Sequence, residues 1–88
     1  MTNDKIEDQF LRWCYAAIIK SKQSKNGRVP AAEVAVMKNP YMYISFTCWA
    51  INRGILHGAG KDVYPYRKYD VMTPAEVHAD LYKHEVRQ

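Results

Sequence analysis

The stretch Tyr64-Pro65-Tyr66-Arg67-Lys68-Tyr69 sets aromatic rings between basic groups. Arginine and lysine neutralise phosphates, and a tyrosine ring can stack on a base or hydrogen-bond to it. With Lys61 just upstream, this stretch is a candidate nucleic-acid contact surface. The same pattern also fits a strand whose tyrosines point inward and whose charges point outward. A second group, Lys38, Asn39, Tyr41, Tyr43, Ser45 and Thr47, offers hydroxyls, an amide and a cation within ten residues. Such groups contact phosphates or base edges when they lie on the exposed side of one helix. Alternatively, Tyr41 and Tyr43 simply cover the core with their rings.

The remaining reactive residue types do not assemble into a catalytic pattern. His57, His78 and His84 lack metal-ligand spacing, and neither Cys-x-x-Cys nor His-x-x-x-His occurs, so no zinc site is expected. Cys14 and Cys48 each sit in an apolar helical stretch, which predicts two buried free thiols in a reducing compartment. A Cys48–histidine nucleophile pair would need the thiol to leave that apolar face. Gly58-Ala59-Gly60-Lys61 lacks the spacing and context of a phosphate loop. The chain is therefore expected to be no enzyme and to need no metal or other cofactor.

Helices must carry most of these groups. Ile6, Phe10, Trp13, Cys14, Ala17 and Ile18 recur at three- and four-residue steps, predicting a helix from about Asp4 to Ser24. Lys25-Asn26-Gly27-Arg28 breaks it, and Arg28-Val29 before Pro30 reads as a short extended piece. A second helix is expected from Pro30 to about Met37. A third runs from Pro40 to about Arg53, with Asn39 as its cap and Gly54 as its end. It is apolar on two faces, Ile44-Cys48-Ile51 and Met42-Phe46-Trp49. Such a helix is central, or else it presents one face to a partner. Valine and tyrosine between glycine and proline signals predict a hairpin, about Ile55–His57 against Tyr66–Val71. Thr73-Pro74-Ala75-Glu76 is a capping box that opens a last helix to about Glu85, with Val77 and Leu81 facing inward. The expected fold class is mainly α, four helices with a small two-stranded β-hairpin.

All of this fits one domain, residues 1–88, with 48% hydrophobic and 25% charged residues. The net charge of +4 gathers unevenly, in Lys20, Lys22, Lys25 and Arg28. A basic face suits an acidic partner such as nucleic acid, or is simply solvated. The acidic, polar N-terminus does not read as a signal peptide, and no apolar run approaches the roughly 20 residues that span a bilayer. A cytoplasmic protein with no membrane contact is expected.

The order helix, short strand, helix, turn, helix, hairpin, helix resembles winged helix-turn-helix DNA-binding domains. The resemblance rests on Gly27-Arg28-Val29-Pro30-Ala31-Ala32-Glu33-Val34-Ala35, then Asn39 to Ala50, then Ile51-Asn52-Arg53-Gly54-Ile55-Leu56, and covers residues 27–71. It implies that the third helix enters the major groove through its N-terminal half. The contact set would be Lys38, Asn39, Tyr41, Tyr43, Ser45, Lys61, Arg67 and Lys68 against double-stranded DNA, with the protein acting as a small transcription regulator. A regulator this short would often act as a homodimer, since paired half-sites multiply weak affinities. Two departures stand out: the third helix is aromatic and poor in Arg, Gln and Asn, and Pro65 falls in the second wing strand. The alternative is a helical protein-interaction module, an adaptor or inhibitor docking through Trp13, Tyr41, Tyr43, Phe46 or Trp49.

Overall fold

A computed structural model describes residues 4–35 and 42–83. Over these residues the chain is mainly α, with four α-helices and a small antiparallel sheet. The order is α1 (Asp4–Gln23), β1 (Val29–Pro30), α2 (Ala31–Val34), α3 (Met42–Asn52), β2 (Leu56–Ala59), β3 (Asp62–Pro65), a 3-10 turn (Arg67–Val71) and α4 (Pro74–Lys83).

α1 is the spine of the core. Its periodic face buries Phe10, Trp13, Cys14, Ala17 and Ile18, as the spacing predicts, and Leu11 joins them. Ile6, expected on the same face, is exposed, one turn beyond the buried stripe. Phe10, Trp13 and Phe46 form an aromatic knot, with ring centroids 5.5–6.0 Å apart. Trp13 and Phe46 are thus core residues and not docking groups, because their rings fill the space between α1 and α3.

The sheet has three strands, not two, in the order β1-β3-β2. The short extended piece before α2 pairs with the hairpin, Val29 opposite Val63. The hairpin itself is shifted from expectation. Ala59 faces Asp62 and His57 faces Tyr64, so the loop is Gly60-Lys61. Gly60 has φ +64 and no non-glycine among the described residues has positive φ, the pattern of a type II′ turn with glycine first. β3 ends at Pro65, whose missing N–H suits the last position of a paired strand. Tyr66–Val71, expected as a strand, instead enters the 3-10 turn.

Alternation decides which residues look inward. Leu56 and Val63 are buried, whereas their neighbours His57 and Tyr64 point to the other side of the sheet and stay half-exposed. β2 lies so close to α3 that a Cβ at Gly58 would come 3.0 Å from Ile51 Cδ1. The capping box forms as expected: Thr73 N–H donates to Glu76 Oε1 at 2.9 Å, and Glu76 N–H to Thr73 Oγ1 at 3.2 Å. Val77 and Leu81 of α4 are fully buried.

Tyr69 anchors the 3-10 turn. Its buried ring lies in the core, and its hydroxyl donates to Asp80 Oδ2 of α4 at 2.8 Å. Burial, then the bond to Asp80, pushes the phenol's pKa up. Burial alone would raise the Asp80 carboxyl, but the hydrogen bond from Tyr69 and the Lys68 and Lys83 ammoniums outweigh it and hold the group below its usual range. Lys22 of α1 donates to the carbonyls of Tyr69 and Asp70 at 2.9 and 3.2 Å, tying the turn to the spine.

Candidate nucleic-acid interface

The residues singled out by the sequence fall into three places. Lys38, Asn39 and Tyr41 lie outside the described residues. Tyr43 and Ser45 are on α3, half-buried and exposed respectively, and Lys61 sits beside that helix at the tip of the hairpin. Tyr43, Ile44, Thr47, Cys48 and Lys61 line a shallow cleft of about 250 Å³. Arg67 belongs elsewhere. β3 separates it from Lys61, which at about 3.3 Å per extended residue places them on the order of 15 Å apart. Lys68 is turned to α4, where its ammonium is 3.3 Å from Asp80 Oδ2. Of the three, Lys61 lines the cleft beside α3, Arg67 lines another cleft, and Lys68 pairs with Asp80.

The surface that α3 presents is largely apolar, Ser45 and Asn52 apart. Phe46 and Ala50 are buried, so the opposite stripe, Ile44, Cys48 and Ile51, turns outward. Ile44 is 47% exposed and Ile51 40%. Cys48, expected in the core, is exposed, because only one of the two apolar faces of α3 can pack against α1. Cys14 is fully buried as expected, and burial pushes its thiol pKa far up. Both thiols are free.

A different surface brings cations and rings together. The outer face of the sheet carries His57 and Tyr64 as a cross-strand pair, ring centroids 4.9 Å apart. Tyr66 leaves β3 and stacks on His57 at 3.9 Å with an interplanar angle of only 11°. The Arg28 guanidinium lies 5.7 Å from the Tyr64 ring centroid. Arg28 is held in place by its loop. Its N–H donates to Asn26 Oδ1 at 3.0 Å, and Ser21 of α1 donates to the Gly27 carbonyl at 2.7 Å.

Arg28 stands between two clefts. One, about 430 Å³, is lined by Asn26, Arg28, His57, Tyr64, Arg67 and Asp70 among others. The other, about 350 Å³, includes Lys20, Arg28 and Glu33. Among the described residues Lys20, Lys25, Arg28 and Arg67 form no ion pair, while Arg12, Arg53, Lys68 and Lys83 each face a carboxylate. Lys22 and Lys61 form none either; of all these, Lys20, Arg28 and Arg67 line the two clefts on the side that carries the rings, whereas Lys61 lies by α3.

Arg28 and His57 are the partners that sequence reasoning missed. The sequence offers His57 as a strand residue without metal-ligand spacing, and Arg28 as part of a basic face that suits nucleic acid or is simply solvated. The signal that finds them is the hairpin register. A two-residue Gly60-Lys61 loop pairs His57 with Tyr64, and β1 beside β3 then brings Arg28 to the Tyr64 ring. His78 packs edge-on against Tyr15 and stacks on Tyr82. Among the described residues no group of three or more His, Cys, Asp or Glu is placed to hold a metal ion, and no helix is long and apolar enough to cross a membrane. Compared with known proteins, the chain matches no family model, no curated protein and no solved structure.

Proposed function

We propose that this is a small nucleic-acid-binding domain of winged helix-turn-helix type, and that it grips the sugar–phosphate backbone mainly through the side that carries Lys20, Lys25, Arg28 and Arg67. The observation that carries the reading is the cleft in which two guanidinium groups without an ion pair, Arg28 and Arg67, stand beside the rings of the sheet face. Cations neutralise phosphates, and rings set beside them can stack on bases. The element order supports the same reading, with a short strand before α2 that pairs with the hairpin following α3. Lys61 at the hairpin tip adds a cation beside α3. DNA is the expected partner and regulation of transcription the expected role, with Ser45 and Tyr43 as the polar groups α3 brings to it.

Fluorescence anisotropy with random-sequence duplex DNA across a salt series tests this. Affinity should fall linearly on a log–log plot, with a slope of about −0.9 per phosphate neutralised. No binding even at low salt would overturn the reading.

The Ile44-Cys48-Ile51 stripe favours a second reading, a module that docks on another protein or on a second copy of itself. In that case the docking groups are aliphatic and come from α3, since Trp13 and Phe46 are spent on the core. Salt-insensitive self-association, measured by sedimentation, would favour it.

A further inference from the structure

The outer sheet face has a shape that phosphate tracking alone does not require. His57, Tyr64 and Tyr66 are half-buried rings arranged nearly parallel, and the cleft beside them opens between two guanidinium groups. Resting on the nucleic-acid reading above, we infer that this face is a shelf for an unpaired nucleotide. The base stacks against Tyr64, at the Arg28 end of the Tyr66–His57–Tyr64 column, and its phosphate lies in the cleft between Arg28 and Arg67.

Four features point to this ligand. The rings stack on one another, so the π-face on offer is that of the end ring lining the cleft, Tyr64, which any base can use without regard to sequence. A base inside a duplex has both faces occupied by its neighbours, so only an unstacked base can reach the shelf. Arg28 and Arg67 line the same cleft as His57 and Tyr64, placing cationic donors beside the rings. Asp70 lines that cleft too, and its carboxylate offers an acceptor for a base amino group or a sugar hydroxyl. Lys20, in the adjoining cleft across Arg28, and Lys25, on the same loop, continue the positive track for the next phosphates.

The parts are held rigidly enough to act as a preformed site. His57 and Tyr64 are fixed by strand register, and the backbone at Arg28 by the Asn26 side chain. Arg67 opens the 3-10 turn that Tyr69 and Lys22 anchor. None of these groups belongs to α3, so the shelf can be occupied without the helix entering a groove.

The test compares three labelled probes by anisotropy: a blunt duplex, the same duplex with an unpaired overhang, and a single strand of about ten nucleotides, a length within the range of small single-strand sites. The wild type should bind the overhang and the single strand about tenfold more tightly than the blunt duplex. Tyr64→Ala with Tyr66→Ala should erase that preference and leave the blunt-duplex affinity within about twofold. Tyr64→Phe with Tyr66→Phe keeps the rings and should keep the preference, which separates lost stacking from lost fold. A fluorescent adenine analogue in the overhang, read with wild type alone, should be quenched as it stacks. Equal affinity for all three probes, with no quenching, overturns the shelf and leaves the nucleic-acid reading standing. No binding to any probe overturns both. Displacement of the single strand by micromolar nucleoside monophosphate would move the cleft from a strand to a free nucleotide and overturn the assignment to nucleic acid.

Discussion

α3 and the outer face of the sheet divide the surface chemistry between them in an unexpected way. In a winged arrangement α3 is the element that meets the partner, yet the stripe it exposes is Ile44, Cys48 and Ile51, with no cation. The sheet, whose expected work is to steady the hairpin, carries three aligned rings and the guanidinium of Arg28. The difference teaches that element order and surface chemistry are separate kinds of evidence. The order follows from turns, caps and periodicity. The chemistry depends on which face of each element the core claims first. Around α1 the claim is settled by Phe46 and Ala50, and everything else on α3 takes what is left.

The comparison is broken most directly by thiol chemistry, where the largest effect is expected. Cys48 lies on the exposed stripe and Cys14 is fully buried. A buried thiol reacts only when the protein opens, and a domain with about 5 kcal/mol of stability is open less than roughly one part in a thousand. Labelling of native protein should therefore modify one thiol quickly and the other at least about a thousandfold more slowly. Cys48→Ser should remove the fast phase and leave the slow one. If both thiols react slowly, α3 buries the stripe described here as exposed, and the contrast between the two faces fails.

Why the two faces were not equally legible follows from particular residues. The α1 face, the capping box Thr73–Glu76 and the short strand before Pro30 were all readable, because each rests on local spacing that tertiary contacts do not change. α3 is different. Ile44-Cys48-Ile51 and Met42-Phe46-Trp49 are both apolar, so periodicity alone finds two candidate inner faces and no means of choosing. The choice needs the partner ring, Phe10, which packs 6.0 Å from Phe46. The wing was misplaced by a smaller error. Taking Tyr66 onward as the second strand hides the His57–Tyr64 pair. Gly60 as the first loop residue restores it. Arg28 was beyond reach for another reason: the pairing of β1 with β3 joins residues more than thirty apart in sequence.

Arg28 and Arg67 sharpen the comparison next. Replacing both by alanine should reduce the salt slope by roughly two, and cut affinity for duplex DNA by about one to two orders of magnitude at moderate salt. Lys68→Ala is the internal control. Its ammonium already faces Asp80, so it should leave the slope nearly unchanged. A slope that responds to Lys68 as strongly as to Arg28 would dissolve the distinction between structural and free cations.

A smaller effect is expected where the shelf is anchored. Tyr69→Phe removes the hydroxyl that donates to Asp80 and should destabilise the fold by about 1 kcal/mol. The pH dependence has a defined sign. The Asp80 carboxyl titrates below its ordinary value, so its contribution is fully present above the unfolded pKa of about 4 and disappears as pH falls through the folded one. The stability gap between wild type and Asp80→Asn should be constant near neutrality and close in acid. A gap that widens in acid would reverse the direction assigned to Asp80.

The smallest effect is expected on α3. Ile44→Ser with Cys48→Ser swaps two exposed, apolar side chains for small polar ones at positions that touch the core little. Exposed substitutions of this kind change stability by about 0.5 kcal/mol or less. Neither residue carries charge, so the salt slope for DNA should be unchanged, and affinity should stay within about twofold. The stripe would then be free for another protein or a second copy, and the same variant should weaken any self-association seen by sedimentation, since that contact would lose its apolar area. If instead the variant loses DNA affinity tenfold while remaining folded and monomeric, α3 does enter the groove with an apolar face. The sheet would then be the supporting surface, and the roles assigned to the two regions would have to be exchanged.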